Sequence, residues 1–362
     1  MNIADTLSTM RLHTRFDRWT ALLLATLGAT PLIDCGGRTT ADETGPGGAG
    51  GDDSGGAAGT GGGGSGGVIG TGGGGSGGSG GIIVRDGGPP TPTPGRPFLI
   101  EGSARQAPAC GSDAWRDGTI TPCTEPFGTA LRRRLAEAWT QVALLEHASI
   151  AAFARFTLQL LAVGAPADLV EASNRATADE TAHARLAFSI ASAFGDKPVG
   201  PGPLAVDGAL DATSLRDVVV ATIREGCIGE TVSAVQAAEA LSYVTDPALR
   251  QALTKIADDE TRHAQLAWRF VQWALERGDA KLKNAVRDEF ARAKASIATP
   301  TSSPELDADE LDLLTGGAMP TRLADRIHAE CVLRVIVPCA DALLARDTGR
   351  PAARTGTELP RV

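Results

Sequence analysis

The chain has 362 residues and a formal net charge of −9 at pH 7. Its only dense basic cluster is the arginine run at 132–134, so the electrostatic footprint of a nucleic-acid-binding protein is absent and we expect no nucleic-acid partner. No two of the six cysteines have the two-residue spacing of a zinc ribbon or a dithiol redox motif, which excludes those classes of site.

The first 35 residues have the pattern of an export signal. Three arginines precede an apolar run at 19–27, which is too short to span a membrane as a helix. The segment ends at Cys35 and resembles a bacterial lipoprotein signal, in which the cysteine is acylated, although Asp34 stands where a small residue is usual. We therefore predict an exported protein of the cell envelope, either periplasmic or anchored in the membrane by a lipid on Cys35.

Residues 36–95 are predicted to be a disordered linker rich in Gly, Ser and Pro. More than half of the 45 glycines fall between Gly45 and Gly88. A stretch with almost no large apolar side chains cannot bury enough surface to offset the entropy of ordering. The next segment, 96–127, is predicted to be a loop, and in an oxidising compartment a disulfide between Cys110 and Cys123 would close it.

From residue 128 to residue 346 the pattern is helical, with Gly and Pro at the ends of the helices. Four long helices come first, and a crossover rich in Gly and Pro separates the second from the third. The prediction is an all-α fold, namely a four-helix bundle with two extra C-terminal helices and a disordered tail at 347–362. The helices are predicted at about 129–163, 167–194, 214–244, 247–277, 280–297 and 321–346.

Two of the long helices carry nearly the same nine residues. Segments 179–187 and 259–267 match at seven of nine positions, and each contains a Glu and a His three residues apart. On an α-helix this spacing places the carboxylate and the imidazole on one face. A surface ion pair is the ordinary alternative, but Glu180 and Glu260 are each centred on an apolar stripe, as is Glu146 on the first long helix.

Carboxylates that point into a core need a compensating charge. No Lys or Arg lies on those apolar stripes within a turn of the glutamates. An unpaired buried carboxylate costs several kcal/mol, so we expect metal cations between the helices. Carboxylate and imidazole ligands without thiolate suit two iron or manganese ions, with zinc as a further candidate.

The ligand from the third long helix is left open between two glutamates. Glu225 and Glu230 are five residues apart and therefore about 140° apart around an α-helix. Glu230 shares a face of that helix with apolar residues. Glu225 aligns with Glu146 in the internal repeat. The sequence favours Glu230 as the ligand, with Glu225 as the alternative or as an extra carboxylate near the site.

The resulting set of four glutamates and two histidines resembles the ligand set of the ferritin-like di-iron carboxylate superfamily. The resemblance covers about residues 128–278, and the doubled Asp-Glu-x-x-His motif is its most specific part. It implies two bound iron ions. It also implies that Asp179 and Asp259 accept a hydrogen bond from the opposite metal-bound histidine. The candidate ligands are Glu146, Glu180, His183, Glu230, Glu260 and His263.

Within that superfamily the chain is most similar to the oxidase and oxygenase branch. The chain lacks the Cys-x-x-Cys iron domain of rubrerythrins, and it has a second Glu-x-x-His that storage ferritins lack. Radical-generating reductase subunits need a tyrosine near the irons, whereas the only tyrosine of this chain, Tyr243, lies at the far end of the third helix. The resemblance implies activation of O₂ or peroxide on an unidentified small molecule, and the sequence indicates no electron donor. The alternatives are a non-catalytic protein that sequesters metal outside the cytoplasm and an interaction module that retains the ligands.

Overall fold

The computed structural model describes residues 3–28, 95–297 and 305–347. Most of the predicted linker, the acylation candidate Cys35 and nearly all of the predicted C-terminal tail lie outside the described residues. The described chain is mostly helical, which confirms the all-α prediction. None of the helices in these three ranges is both long enough and apolar enough to cross a membrane.

Four long helical segments pack side by side, and three of them are continuous α-helices. Their ends lie close to the predicted ends because helix ends are set by local capping and proline residues. Pro166 precedes the second segment, and Asp246 caps the fourth segment, which has Pro247 at its first position. The second packs against both the first and the fourth. The three continuous helices are α2 (Thr129–Ala162), α3 (Ala167–Gly195) and α6 (Pro247–Leu275).

The third long segment is interrupted by a π-helix. Its middle part, Ile223–Glu230, has the i→i+5 hydrogen bonding of a π-helix, and we call it the π segment. The sequence predicts one uninterrupted helix there, because no periodicity signal distinguishes a single wide turn. The flanking helices are α4 (Leu215–Thr222) and α5 (Thr231–Leu241), and both α5 and the π segment pack against α6.

The C-terminal region contains one helix more than expected. A short helix, α8, lies between the two predicted C-terminal helices, and a capping box formed by Asp307 and Glu310 stabilises its start. Trp139 of α2 donates its Nε1–H to the carbonyl oxygen of Gly316 at 2.9 Å, which ties the end of α8 to α2. The last predicted helix is divided by a π-helical stretch, Val332–Ile336. The helices are α7 (Ala280–Ala295), α8 (Ala308–Thr315), α9 (Thr321–Cys331) and α10 (Val337–Asp347).

The predicted loop at 96–127 contains two short antiparallel pairings. Strand β1 (Leu99–Ile100) pairs with β2 (Ser103–Ala104). Strand β3 (Ala109–Cys110) pairs with β4 (Gly200–Pro201), which lies in the crossover after α3. The loop is therefore fastened to the crossover by backbone hydrogen bonds.

The predicted disulfide between Cys110 and Cys123 is wrong, because both cysteines are exposed and free. Cys110 belongs to β3 and is held against the crossover by β4. The backbone N–H of Cys123 instead donates to a carboxylate oxygen of Asp246 at 3.0 Å, at the start of α6. The two ends of this loop are anchored to different parts of the fold, so the loop needs no covalent closure.

The apolar run of the predicted export signal lies in helix α1 (Ile3–Thr26), which packs against α6, α10 and the second π-helical stretch. Phe16, Leu23 and Leu27 are buried in the same apolar cluster as residues of those elements. Arg15 donates to the carbonyl oxygen of Ala238 at 2.6 Å and lies 3.0 Å from Glu239. Export and acylation stay predictions, and α1 covers apolar surface of the helical domain.

We expect Leu23→Ala to lower the free energy of unfolding by about 2–5 kcal/mol, because it leaves a cavity beneath α1. Leu23 is fully buried, whereas the adjacent Leu22 is 38% exposed and serves as the matched control. Leu22→Ala should cost less than about 0.5 kcal/mol. Denaturant titration of the full-length chain, followed by circular dichroism, measures both. Equally small losses would contradict the packing of α1.

Candidate metal centre

Six buried residues meet between the four long helical segments. They form two overlapping groups of four, and within each group one ligand atom per residue lies within 4.8 Å of the others. Glu180 and Glu260 belong to both groups, so their carboxylates lie between the two positions. The first group is completed by Glu146 and His183, and the second by Glu230 and His263.

Most of the candidate ligand atoms of this cluster have no hydrogen bond within the described residues. Both carboxylate oxygens of Glu180, Glu230 and Glu260 are buried and have no hydrogen-bond partner among the described residues. The same holds for Nδ1 of His183 and of His263. Buried polar groups in native proteins nearly always have a partner, and a bound ion is a standard reason for exceptions. The unsatisfied atoms converge where cations would lie, so the donor set fits a pair of metal ions.

The two histidines are oriented by aspartates of the opposite motif. Nε2 of His183 lies 2.9 Å from Oδ2 of Asp259, and Nε2 of His263 lies 3.3 Å from Oδ2 of Asp179. An Nε2–H donated to each aspartate fixes the tautomer in which the Nδ1 lone pair is free. Nδ1 of His263 lies 2.9 Å from Glu180 without hydrogen-bond geometry. Both rings therefore present a ligand atom to the carboxylates.

Two positively charged side chains lie outside this cluster and form ion pairs with Asp179 and Asp259. Lys255 donates to Asp259 at 2.6 Å, and Arg262 also donates to it. Burial alone would raise the pKa of Asp259, but the hydrogen bonds from His183 and Lys255 outweigh burial and hold the pKa well below its usual value. Asp259 therefore stays ionised and remains an acceptor for the His183 ring.

Inside the cluster, burial controls the protonation of the carboxyl groups. Burial raises the pKa of Glu146 and of Glu230 well above the usual range, and neighbouring carboxylates raise both further. Burial alone would lower the pKa of His183 and His263, but the surrounding carboxylates outweigh it and raise both. Without metal the cluster therefore retains protons that an incoming cation must displace.

Glu225 is buried but belongs to neither group. Nη2 of Arg155 donates to both of its carboxylate oxygens at 2.6 Å, and Nε of Arg96 donates to one of them at 3.3 Å. The favoured ligand Glu230 and its alternative Glu225 therefore have different surroundings. Glu230 faces the carboxylate and imidazole cluster, whereas Glu225 is compensated by two arginines.

Several residues of this neighbourhood were not found by sequence reasoning. Lys255 and Arg262 had a detectable signal, because they lie four residues before and three residues after Asp259 on one helix. Arg155 lies off the apolar stripe of α2 that contains the candidate ligand. Arg96 precedes the helical domain altogether, and no periodicity or spacing connects it to the site.

The chain matches no protein-family model, no curated protein and no solved structure. The geometry and burial of the residues themselves therefore indicate the metal centre. Within the described ranges, that geometry is a mostly helical domain with a buried carboxylate and histidine cluster that could hold metal ions.

We expect Asp259→Asn to weaken metal binding about 10- to 100-fold, because it replaces the ionised carboxylate that orients His183 with a neutral amide. The neighbouring Asp258 is exposed on the same helix, and Asp258→Asn is the matched control with unchanged affinity. Competition titration of Mn²⁺ against a chelator measures both. Equal affinities for the two variants would show that Asp259 has no orienting role.

We expect the metal-free protein to lose stability as the pH rises from about 5 to about 8. The raised pKa values of Glu146, Glu230, His183 and His263 mean that the folded state keeps protons that the unfolded state has released in this range. Metal binding displaces those protons, so its stabilising effect should grow over the same range. Melting temperatures with a chelator and with excess Mn²⁺ measure both trends, and a metal-free melting temperature that rises with pH would contradict the assignment.

Proposed function

We propose that the chain is a di-metal carboxylate protein of the ferritin-like type. In this proposal α2, α3, the third helical segment and α6 form the four-helix bundle, and two iron ions lie between them. The protein acts as an oxidase or oxygenase that uses O₂ or peroxide on a small substrate. One observation carries the proposal: two adjacent groups of ligand atoms share Glu180 and Glu260, and their carboxylate oxygens have no partner among the described residues.

The charge of the cluster supports two divalent cations. Four ionised glutamates carry four negative charges, which two divalent ions neutralise. A buried site with a single divalent cation would retain excess negative charge in a region of low dielectric, which is costly. The donor set consists of carboxylate and imidazole, and burial raises the pKa of the nearby Cys227 thiol well above its usual value. A protonated thiol is a poor metal ligand, and oxygen and nitrogen donors favour iron or manganese.

The protein residues prepare the site in three ways. Glu180 and Glu260 lie in both groups of ligand atoms, so each of them would help to hold both ions. Asp179 and Asp259 hold the histidine rings through their Nε2 atoms, so that the Nδ1 atoms stay available. Phe153 packs edge-on against His263 with ring centroids 4.9 Å apart, which restricts the ring and excludes water. Bound iron ions would supply the electrons that reduce O₂ or peroxide.

Export is part of the proposal, and cleavage of the export signal would change the fold. If the predicted signal were removed after residue 34, the fold would lose α1 and expose the apolar surface that Phe16 and Leu23 now cover. The intact mass of the protein isolated from its native source distinguishes the two forms. A mass that includes an acylated Cys35 at the N-terminus would support the lipoprotein prediction, and a mass that includes residues 1–34 would contradict it.

We expect the full-length chain to bind about two iron ions, and Glu180→Gln to bind fewer than about one, because Glu180 belongs to both groups. Glu171 is exposed on the same helix, and Glu171→Gln is the matched control that keeps both ions. Elemental analysis after anaerobic loading with Fe²⁺ gives the stoichiometry. An oxygen electrode and stopped-flow absorption then record O₂ consumption when air-saturated buffer is added.

The outcomes of this experiment separate the candidate functions. Two bound ions with O₂ consumption support the oxidase or oxygenase. Tight binding of two ions without O₂ consumption would select a metal-sequestering protein instead. Metal binding that is the same in wild type, Glu180→Gln and Glu171→Gln would contradict a metal site at this cluster.

A further inference from the structure

A short segment that precedes the helical domain lies against the candidate metal centre. Residues 95–98, which we call the strap, pack between α2 and the π segment. Ser149 of α2 donates its hydroxyl to the carbonyl oxygen of Arg96 at 2.8 Å. Gly95 has a φ of +76°, and a Cβ there would lie 2.9 Å from Ser149 Oγ and 3.2 Å from Glu146 Oε2. Only a glycine fits this close approach to the Glu146 carboxylate.

The π segment is shaped to receive the strap. A Cβ on Gly229 would lie 3.1 Å from Pro97 Cδ and 3.3 Å from the carbonyl oxygen of Gly95. A Cβ on Gly226 would lie 3.3 Å from Nη1 of Arg96 and only 2.5 Å from the Cβ of Ala267. The two glycines therefore let the strap on one side and α6 on the other approach the same turn.

The strap places one buried positive charge, that of Arg96, next to the π segment. The Arg96 guanidinium is 1% exposed, and it lies over the rings of Phe153 and Phe156 at 4.9 and 4.3 Å from their centroids. Its Nε donates to Glu225, which also receives both hydrogen bonds from Arg155. Glu225 thus lies between two buried guanidinium groups, which are fixed by aromatic rings and by the strap.

The π-helical backbone makes this compensation necessary. In an i→i+5 helix, residues five apart lie one hydrogen-bonded turn apart, so Glu225 and Glu230 are closer around the axis than on an α-helix. Both side chains are buried. The four carboxylates of the centre would balance two divalent ions, and a fifth carboxylate would leave the centre negatively charged. Glu225 needs a cation of its own, and Arg96 and Arg155 supply that charge.

We propose that Arg96 is a positioning residue that, together with Arg155, holds Glu225 in an ion pair outside the metal centre. Glu230 is then the single carboxylate that the π segment contributes to the metals. This inference rests on the proposed function, since it concerns how the two metal ions acquire their ligands. Without Arg96, Glu225 keeps one cation partner and turns towards the metals as a fifth carboxylate.

Cobalt titration of the full-length chain tests this proposal, because the visible absorption of Co²⁺ depends on the number and kind of its ligands. We expect Arg96→Met to change the shape and intensity of the cobalt spectrum and to tighten cobalt binding on the order of tenfold, through the extra carboxylate. Arg96→Lys keeps the charge and should retain the wild-type spectrum. Arg133→Met removes an arginine that is 78% exposed and is the control.

A second substitution separates positioning from charge alone. In the double variant Arg96→Met with Glu225→Gln, no fifth carboxylate remains, and the wild-type spectrum should return. Loss of the Arg96 charge by itself would alter affinity but not the set of ligands, so the spectrum is the deciding measurement. An Arg96→Met spectrum identical to wild type, or one that the double variant fails to restore, would overturn the proposal.

Glu225→Gln alone keeps the proposal testable even if Arg96→Met does not fold. It should bind two Co²⁺ ions with the wild-type spectrum, because Glu225 is not a ligand in the native protein. Loss of cobalt in Glu225→Gln would overturn the positioning role while leaving a metal centre in place. A wild-type chain that binds no Co²⁺, Mn²⁺ or Fe²⁺ would instead overturn the proposed function, and this inference with it.

Discussion

Four glutamates whose side chains point into the core of a helical domain are the constraint around which the structure is arranged. Each of these carboxylates is almost completely buried, and three of them have no hydrogen bond to either oxygen within the described residues. Burial of such charges without partners is costly, and apolar packing of the surrounding helices has to hold them in place. Metal cations bound at this cluster would remove this cost, and the fold could then tolerate so many acidic groups in one place.

The positively charged side chains near that cluster pair with acidic residues around it. Lys255 and Arg262 reach the aspartates that orient the histidines, and they do not pair with the four glutamates. Arg96 and Arg155 reach Glu225. The fold therefore keeps its own cations one layer away from the centre. A lysine or arginine inside the cluster would compete with metal, whereas cations in the next layer fix the acceptors and leave the ligand atoms free.

The helical framework was largely predictable from the sequence because its signals are local. Proline, glycine and capping residues set the ends of α2, α3 and α6, and apolar stripes at helical spacing set their inward faces. The doubled Asp-Glu-x-x-His motif indicated the two half-sites for the same reason, since residues three apart on one helix share a face wherever that helix packs. The exceptions were the short helix α8 and the free Cys110 and Cys123, whose surroundings depend on distant contacts.

The sequence by itself determined the helices and which carboxylates face inward. Only the tertiary structure gave Glu230 and Glu225 their different surroundings, because a π-helical turn changes the angle between residues five apart and a pattern at 3.6 residues per turn does not reveal that change. It also brought Arg96 to Glu225, since a residue outside the helical domain reaches this glutamate only through the folded path of the strap. Charge compensation in a core depends on which groups meet in space, and residues 129 positions apart in the chain meet only after folding.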